Sequence, residues 1–113
     1  MRSIPKKLLI HTVTHAHKEK TGRWSDEELK DKKLLQYVRI EPSTKIVRDK
    51  NSAEVQLSAT LFYDCRNSRP RGIIFAEDEV ILFGDLKYSI QVVEPLYDGT
   101  LLHHFELGLI KYA

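Results

Sequence analysis

Five histidines, one cysteine and an acidic run are the residues of this chain whose types suit chemistry. On an extended strand His11, Val13, His15 and His17 share a face, and His15-x-His17 has the spacing of a zinc-ligand pair. A zinc site needs further ligands at fixed geometry, and neither a cysteine pair nor a His-Glu cluster follows. The sequence therefore predicts no metal site, with solvated histidines where a strand passes into a loop. His103 falls in register with Leu101, Phe105, Leu107 and Leu109 and is expected at a core edge, whereas His104 shares its face with Glu106 and is expected to point outward. No nucleophile is placed beside either, so no catalytic residue is assigned. Cys65 precedes Arg66, which would lower a thiol pKa, but a strand-end thiol without a role is the simpler expectation. Glu77-Asp78-Glu79 lacks the alternating oxygen ligands of calcium loops and reads as a solvated turn.

The run HTVT invites comparison with phosphoesterases that place a histidine and a hydroxyl two residues apart on one phosphate. The residues two positions after His11, His15, His17, His103 and His104 are Val13, His17, Glu19, Phe105 and Glu106, so that motif is absent. The five glycines form neither a phosphate-cradling loop nor a dinucleotide fingerprint. No cofactor and no small-molecule substrate is implied.

The elements that would carry these residues are strands. Val80 to Phe83 is apolar and ends at Gly84-Asp85. Lys87 to Val93 alternates with Tyr88, Ile90 and Val92 on one face; after breaks at Pro95 and Asp98-Gly99, Leu101 to Ile110 is extended again. Ala53 to Asp64 alternates most clearly of all and predicts one long strand, with Leu57, Ala59, Leu61 and Tyr63 inward. Lys7–Thr14, Leu34–Glu41 and Ile73–Phe75 complete the set. Short alternating strands separated by Gly, Pro and Asp predict an all-β chain, a small barrel of about six or seven short antiparallel strands.

A chain of 113 residues makes one domain, 1–113. Segments 15–33 and 43–52 are polar and predict long projecting loops; Ser25 with Glu28 allows at most a short helical turn in the first. No apolar run approaches the roughly 20 residues that cross a bilayer, Leu8–Ile10 is too short for a signal peptide, and a lone cysteine requires no oxidising compartment. Synthesis in a cytoplasm, without membrane attachment, is the expectation.

Residues 1–50 carry 13 Lys/Arg and 7 Asp/Glu, a balance of +6, and residues 51–113 carry 5 and 9, a balance of −4. Such asymmetry suits head-to-tail contact between copies, or a basic rim facing phosphate. Lys18, Lys20, Arg23, Lys45, Arg48 and Lys50 in the two polar segments are the candidates for contact with nucleic acid. Lys30, Lys32 and Lys33 near Trp24, and Arg66, Arg69 and Arg71 in a second turn, keep open an alternative: a basic-loop barrel binding single-stranded nucleic acid. Tyr63, Tyr88 and Phe105 lie in apolar register and are expected in the core.

The stretches RIEPSTKIVRDKNSAEVQLSATLFYDCRNSRP, FAEDEVILFGDLKYSIQVVEPLYD and LHHFELGLI resemble the minor capsid proteins of tailed phages and prophages, over essentially the whole chain and most strongly from Val38 to Leu109. Within that group the chain is similar to the head-completion, or stopper, proteins of the head–tail connector. The resemblance implies a small β-barrel, made in the bacterial host, that forms a ring in the virion beneath the portal or its adaptor and joins tail-completion proteins. It further implies retention of packaged DNA by a loop reaching the channel, and no catalysis. Segment 15–33 is the first candidate for that loop and 43–52 the second.

Overall fold

The structure, a computed structural model, describes residues 3–21 and 26–111, with the side chains of Lys20, Thr21, Asp26 and Glu27 outside the description. A 3-10 turn, Lys6–Leu8, leads into β1 (His11–Thr21) and β2 (Asp26–Pro42). These are followed by β3 (Ile46–Arg48), β4 (Glu54–Gln56), β5 (Ala59–Asp64), β6 (Val80–Phe83), β7 (Leu86–Asp98) and β8 (Leu101–Lys111). Six strands close into an antiparallel barrel in the order β1-β2-β5-β8-β7-β6, and β3 and β4 form a separate two-stranded hairpin. The all-β expectation holds, and the barrel has six strands, within the expected six or seven, with β3 and β4 outside it. β1, β2, β7 and β8 are long, not short.

Segment 15–33 is the main correction. It is not a loop. Its described residues continue β1 and β2, paired from His15↔Lys33 out to Thr21↔Asp26. Alternation fails to reveal β2 because two bulges interrupt it. Between His15 and His17 the partners step from Lys33 to Lys30, and between His11 and Val13 from Val38 to Leu35, so β2 carries one extra residue each time. Asp31 (φ 55°) and Tyr37 (φ 57°) sit at those two points in the left-handed region. A bulge displaces every later side chain by one face, which is why the buried residues are Leu35, Val38 and Ile40 rather than an even-numbered series.

Residues 43–52 also contain a strand, β3, paired with β4 from Ile46↔Gln56 to Arg48↔Glu54. The expected single strand Ala53–Asp64 is accordingly two, broken at Leu57-Ser58. There the backbone changes partners: Leu57 N–H donates to Lys45 O (2.9 Å) and Ser58 N–H to Leu109 O (2.8 Å). Leu57 is buried against Gly108, where a Cβ would lie 3.0 Å from both of its methyl carbons. Pro95 does not end β7 but pairs with Phe105. Beyond Ser89 the strand has β8 alone as a described neighbour, so an amide facing the other edge is dispensable. Ile73 and Phe75 point inward and Ile74 is 84% exposed, an alternation without ladder partners, so no strand forms there.

The core fills the ring with Val13, Leu35, Val38, Leu61, Ile81, Ile90, Leu107 and Leu109. Tyr63, Tyr88 and Phe105 join it as expected, and Phe75 packs edge-on against Tyr63 (5.2 Å) and Phe105 (5.5 Å). Asp64, at a position that the alternation of 53–64 places opposite Leu61 and Tyr63, is nonetheless wholly buried. Its carboxylate accepts the backbone N–H groups of Ile4 (3.1 Å), Arg66 (3.1 Å) and Asn67 (2.8 Å), and Ser68 Oγ accepts its own N–H (2.8 Å). One carboxylate thus fixes both the N-terminal segment and the turn after β5. Asp64→Ala leaves those donors without it and is expected to cost about 3 kcal/mol in chemical denaturation. A change below about 1 kcal/mol would mean that water replaces the carboxylate freely.

Candidate functional site

β1 meets β6 over three pairs only, Thr14↔Leu82, His15↔Ile81 and Ala16↔Val80, and this short seam closes the ring. A side-chain clamp lies at its end. His15 Nε2 is 2.7 Å from Glu79 Oε1, and His17 Nδ1 is 2.6 Å from Glu79 Oε2. Oε1 also accepts the N–H of Ala76 at 2.8 Å. Both His15 and Glu79 are buried, and the Phe75 ring packs at a tilt against the His15 ring, centroids 5.1 Å apart. The expected solvated histidine and solvated acidic turn are therefore one buried contact. His15 and His17, two apart on β1, present both rings to one carboxylate. Among the described residues no group of three or more His, Cys, Asp and Glu has the geometry of a metal site.

Past the seam the hairpin of β1 and β2 runs on as a two-stranded arm, from His17↔Lys30 outward, without a third strand among the described residues. Four residue steps along β1 carry it about 13 Å from the ring, consistent with overall extents of 48 × 29 × 25 Å. Within it Lys30 Nζ pairs with Glu19 at 2.8 Å. Of the sequence candidates, Lys18 lies half-buried on this arm, Lys20 lies on it by its backbone, and Arg23 and Trp24 lie outside the described residues. Lys45, Arg48 and Lys50 belong to the other hairpin, where each meets a carboxylate: Glu94 at 3.8 Å, Glu54 at 3.5 Å and Asp78 at 2.7 Å. The structure thus separates the five described candidates into two groups on different elements. The three on the β3–β4 hairpin are neutralised locally.

The remaining chemistry-bearing residues are structural in their contacts. His104, expected outward, has a side chain only 13% exposed, with Nε2 3.0 Å from Glu106 Oε2 and Nδ1 2.7 Å from His103 Nδ1. His103 is the extra residue of a bulge in β8, between the pairs Leu96↔His104 and Tyr97↔Leu102. Burial, and then Asp64, push the Cys65 thiol above its ordinary pKa, the reverse of an activated nucleophile.

The family model for minor capsid proteins matches residues 5–109. The chain belongs to the minor capsid protein family. Searches of the curated proteins and of the solved structures found no match. Membership makes this chain a structural component of a phage virion, and the barrel with its arm is the family member's architecture as it stands in this sequence. Glu79 is the residue that sequence reasoning missed. A period-two reading extended back from Ile81 places it on the inward face, a signal hidden by its two acidic neighbours.

Two measurements check this site. Glu79→Ala strands the buried His15 ring and the Ala76 amide, and is expected to lower stability by about 3 kcal/mol while speeding hydrogen exchange at 14–16; Glu79→Gln, which keeps an acceptor, should cost less. Equal exchange at 14–16 in all three proteins would remove the clamp. His11 titrates independently of it. Burial, then the Arg39 guanidinium, depress its pKa against the opposing pull of Glu41, and Nδ1 accepts the N–H of Ile40 at 3.0 Å as a neutral ring must. With a depressed folded value, stability is full above the ordinary value near 6.5 and falls as pH drops below it towards the folded value. His11→Asn should flatten that part of the pH–stability curve, and an unchanged curve would contradict the assignment.

Proposed function

We propose that this minor capsid protein is a head–tail connector subunit of the stopper, or head-completion, kind. Copies would join in a ring beneath the portal or its adaptor, retain the packaged genome and present the surface to which the tail attaches. The observation that carries this reading is the arm: a closed barrel from which one two-stranded hairpin continues past its last described pairing with a third strand. A closed ring of strands supplies a rigid body for packing between neighbours, and a hairpin rooted in it by the His15–Glu79–His17 clamp can reach across a channel without its own core. Identical subunits in a ring meet through unlike patches, and the +6 and −4 halves of the chain supply opposite charge for such a contact.

The arm works by obstruction more than by attraction. Over 15–33 the six cations Lys18, Lys20, Arg23, Lys30, Lys32 and Lys33 face five acids, Glu19, Asp26, Glu27, Glu28 and Asp31, a balance of +1. That is too small to hold a phosphate backbone by charge alone. The β3–β4 hairpin is the weaker plug, because Lys50–Asp78 and Lys45–Glu94 tie it to the barrel body.

Deleting all of 15–33 would remove His15 and Ala16, two of the three seam residues of β1, so the informative variant is shorter. Replacing residues 19–28 by Asn-Gly joins Lys18 to Leu29, which already pair, through a two-residue hairpin turn. This variant should melt within a few degrees of the parent and still copurify with portal–adaptor complex, while filled heads become nuclease-sensitive or fail to join tails. Failure of the parent chain to copurify with any connector or tail component would overturn the connector reading. Full DNA retention by the shortened arm would remove only its role as plug.

A further inference from the structure

We propose that the turn carrying Arg66, Arg69 and Arg71 is a binding site for the phosphodiester backbone of nucleic acid, in place of the two polar segments to which the sequence points. The inference comes from following each cation to its partner. Lys30, Arg39, Lys45, Arg48 and Lys50 all sit within 4 Å of a carboxylate. The guanidinium groups of this turn make a different kind of contact. Arg69 Nη1 donates to the carbonyl oxygens of Arg66 (2.7 Å) and Ser68 (2.9 Å), and Arg71 Nη2 to that of Arg66 (3.4 Å). A carbonyl orients a guanidinium without cancelling its charge. Three unit charges are thus gathered within six residues, two of them, Arg69 and Arg71, oriented by backbone carbonyls, with Arg66 and Arg71 exposed.

The turn is rigid enough to present them. Asp64 accepts its N–H groups from below, and Arg69 exchanges backbone hydrogen bonds with Gln36 of β2 at 2.8 and 2.9 Å. Next to Gln36, Tyr37 carries Lys6 over its ring at 4.2 Å, which places a fourth cation beside the strand segment that Arg69 joins. Arg66 and Arg71 also line one surface cavity of about 470 Å³ together with Ser3, His103 and Leu101. Asp98 lines the same cavity from the end of β7, so a carboxylate there limits affinity for an anion. Guanidinium forks match phosphate oxygens in geometry as well as charge. Arginines fixed by backbone carbonyls lose little side-chain freedom when phosphate arrives.

The choice of a phosphodiester ligand rests on the virion reading, since packaged DNA is the polyanion such a subunit meets; the unpaired charge does not. Fluorescence anisotropy with duplex and single-stranded oligonucleotides of about 20 units, between 50 and 200 mM salt, tests the site and distinguishes the two forms. R66Q/R69Q/R71Q should lower affinity at 100 mM salt on the order of 100-fold and reduce the slope of log K against log salt by about 2 to 3. K45Q/R48Q/K50Q should leave both nearly unchanged, and D98N should tighten binding. If the triple variant fails to fold, R66Q and R71Q taken singly provide the same readout, each lowering the slope by about 1. An unchanged slope in R66Q/R69Q/R71Q, or a loss confined to K45Q/R48Q/K50Q, would overturn the proposal. So would self-association lost in the arginine variant with no DNA binding by the parent, which would make the turn a contact between copies. Portal copurification that survives R66Q/R69Q/R71Q separates failure of this site from failure of the connector reading.

Discussion

Closure of the ring between β1 and β6 is the constraint on which the rest depends. Six strands can bury Val13, Ile81, Ile90 and Leu107 around one core only if the first strand returns to the sixth, and it does so through three residue pairs. Other neighbours in the ring share longer ladders, such as the six pairs between β5 and β8. A seam that short has little backbone hydrogen bonding to hold it, and the Glu79 carboxylate supplies the remainder by taking His15, His17 and the Ala76 amide together. Burial raises the stakes of that contact. With its partners in place the carboxylate is satisfied in a low-dielectric setting; without them it is an orphaned charge.

The clamp also divides the hairpin of β1 and β2 into two parts with different physics. On the ring side Leu35, Val38 and Ile40 are buried and the strand is held from both edges. On the other side Glu19, Glu28 and Lys30 are exposed, and cross-strand pairs such as Lys30–Glu19 are the described stabilising contacts. Exposed pairs of that kind contribute at most about 1 kcal/mol each. The arm is therefore the element least able to hold its shape alone and best placed to gain from a neighbour. That asymmetry suits an assembly element carried on a rigid body.

Much of the ring was legible in the sequence, because residues facing a shared core on both sides of a ladder alternate. Leu57, Ala59, Leu61 and Tyr63, and again Tyr88 and Ile90, show their faces directly. What alternation conceals is anything that shifts it. Asp31 and Tyr37 adopt positive φ at bulges, and neither is a glycine that would advertise a left-handed position. The resulting seventeen-residue strand β2 therefore looks like a polar loop followed by a short strand. The partners of the surface cations were hidden for a related reason. Lys45, Arg48 and Lys50 count as a basic loop in one dimension, but their carboxylates, Glu94, Glu54 and Asp78, arrive from other segments. Arg66, Arg69 and Arg71 were visible as a cluster, but only the contacts show Arg69 and Arg71 turned to backbone carbonyls.

Hydrogen–deuterium exchange, followed by mass spectrometry on the free subunit and on assembled particles, tests the central claim most directly. The claim is that a clamped ring carries an arm ordered for assembly. In the free protein, amides of β5 (59–64) and of 107–109 should exchange slowly, those of 14–16 at intermediate rates, and those of 17–21 and 26–30 fastest. In the particle the arm amides should become protected by at least an order of magnitude while the ring changes little. Arm amides as slow as those of β5 in the free subunit, or unchanged on assembly, would contradict the account.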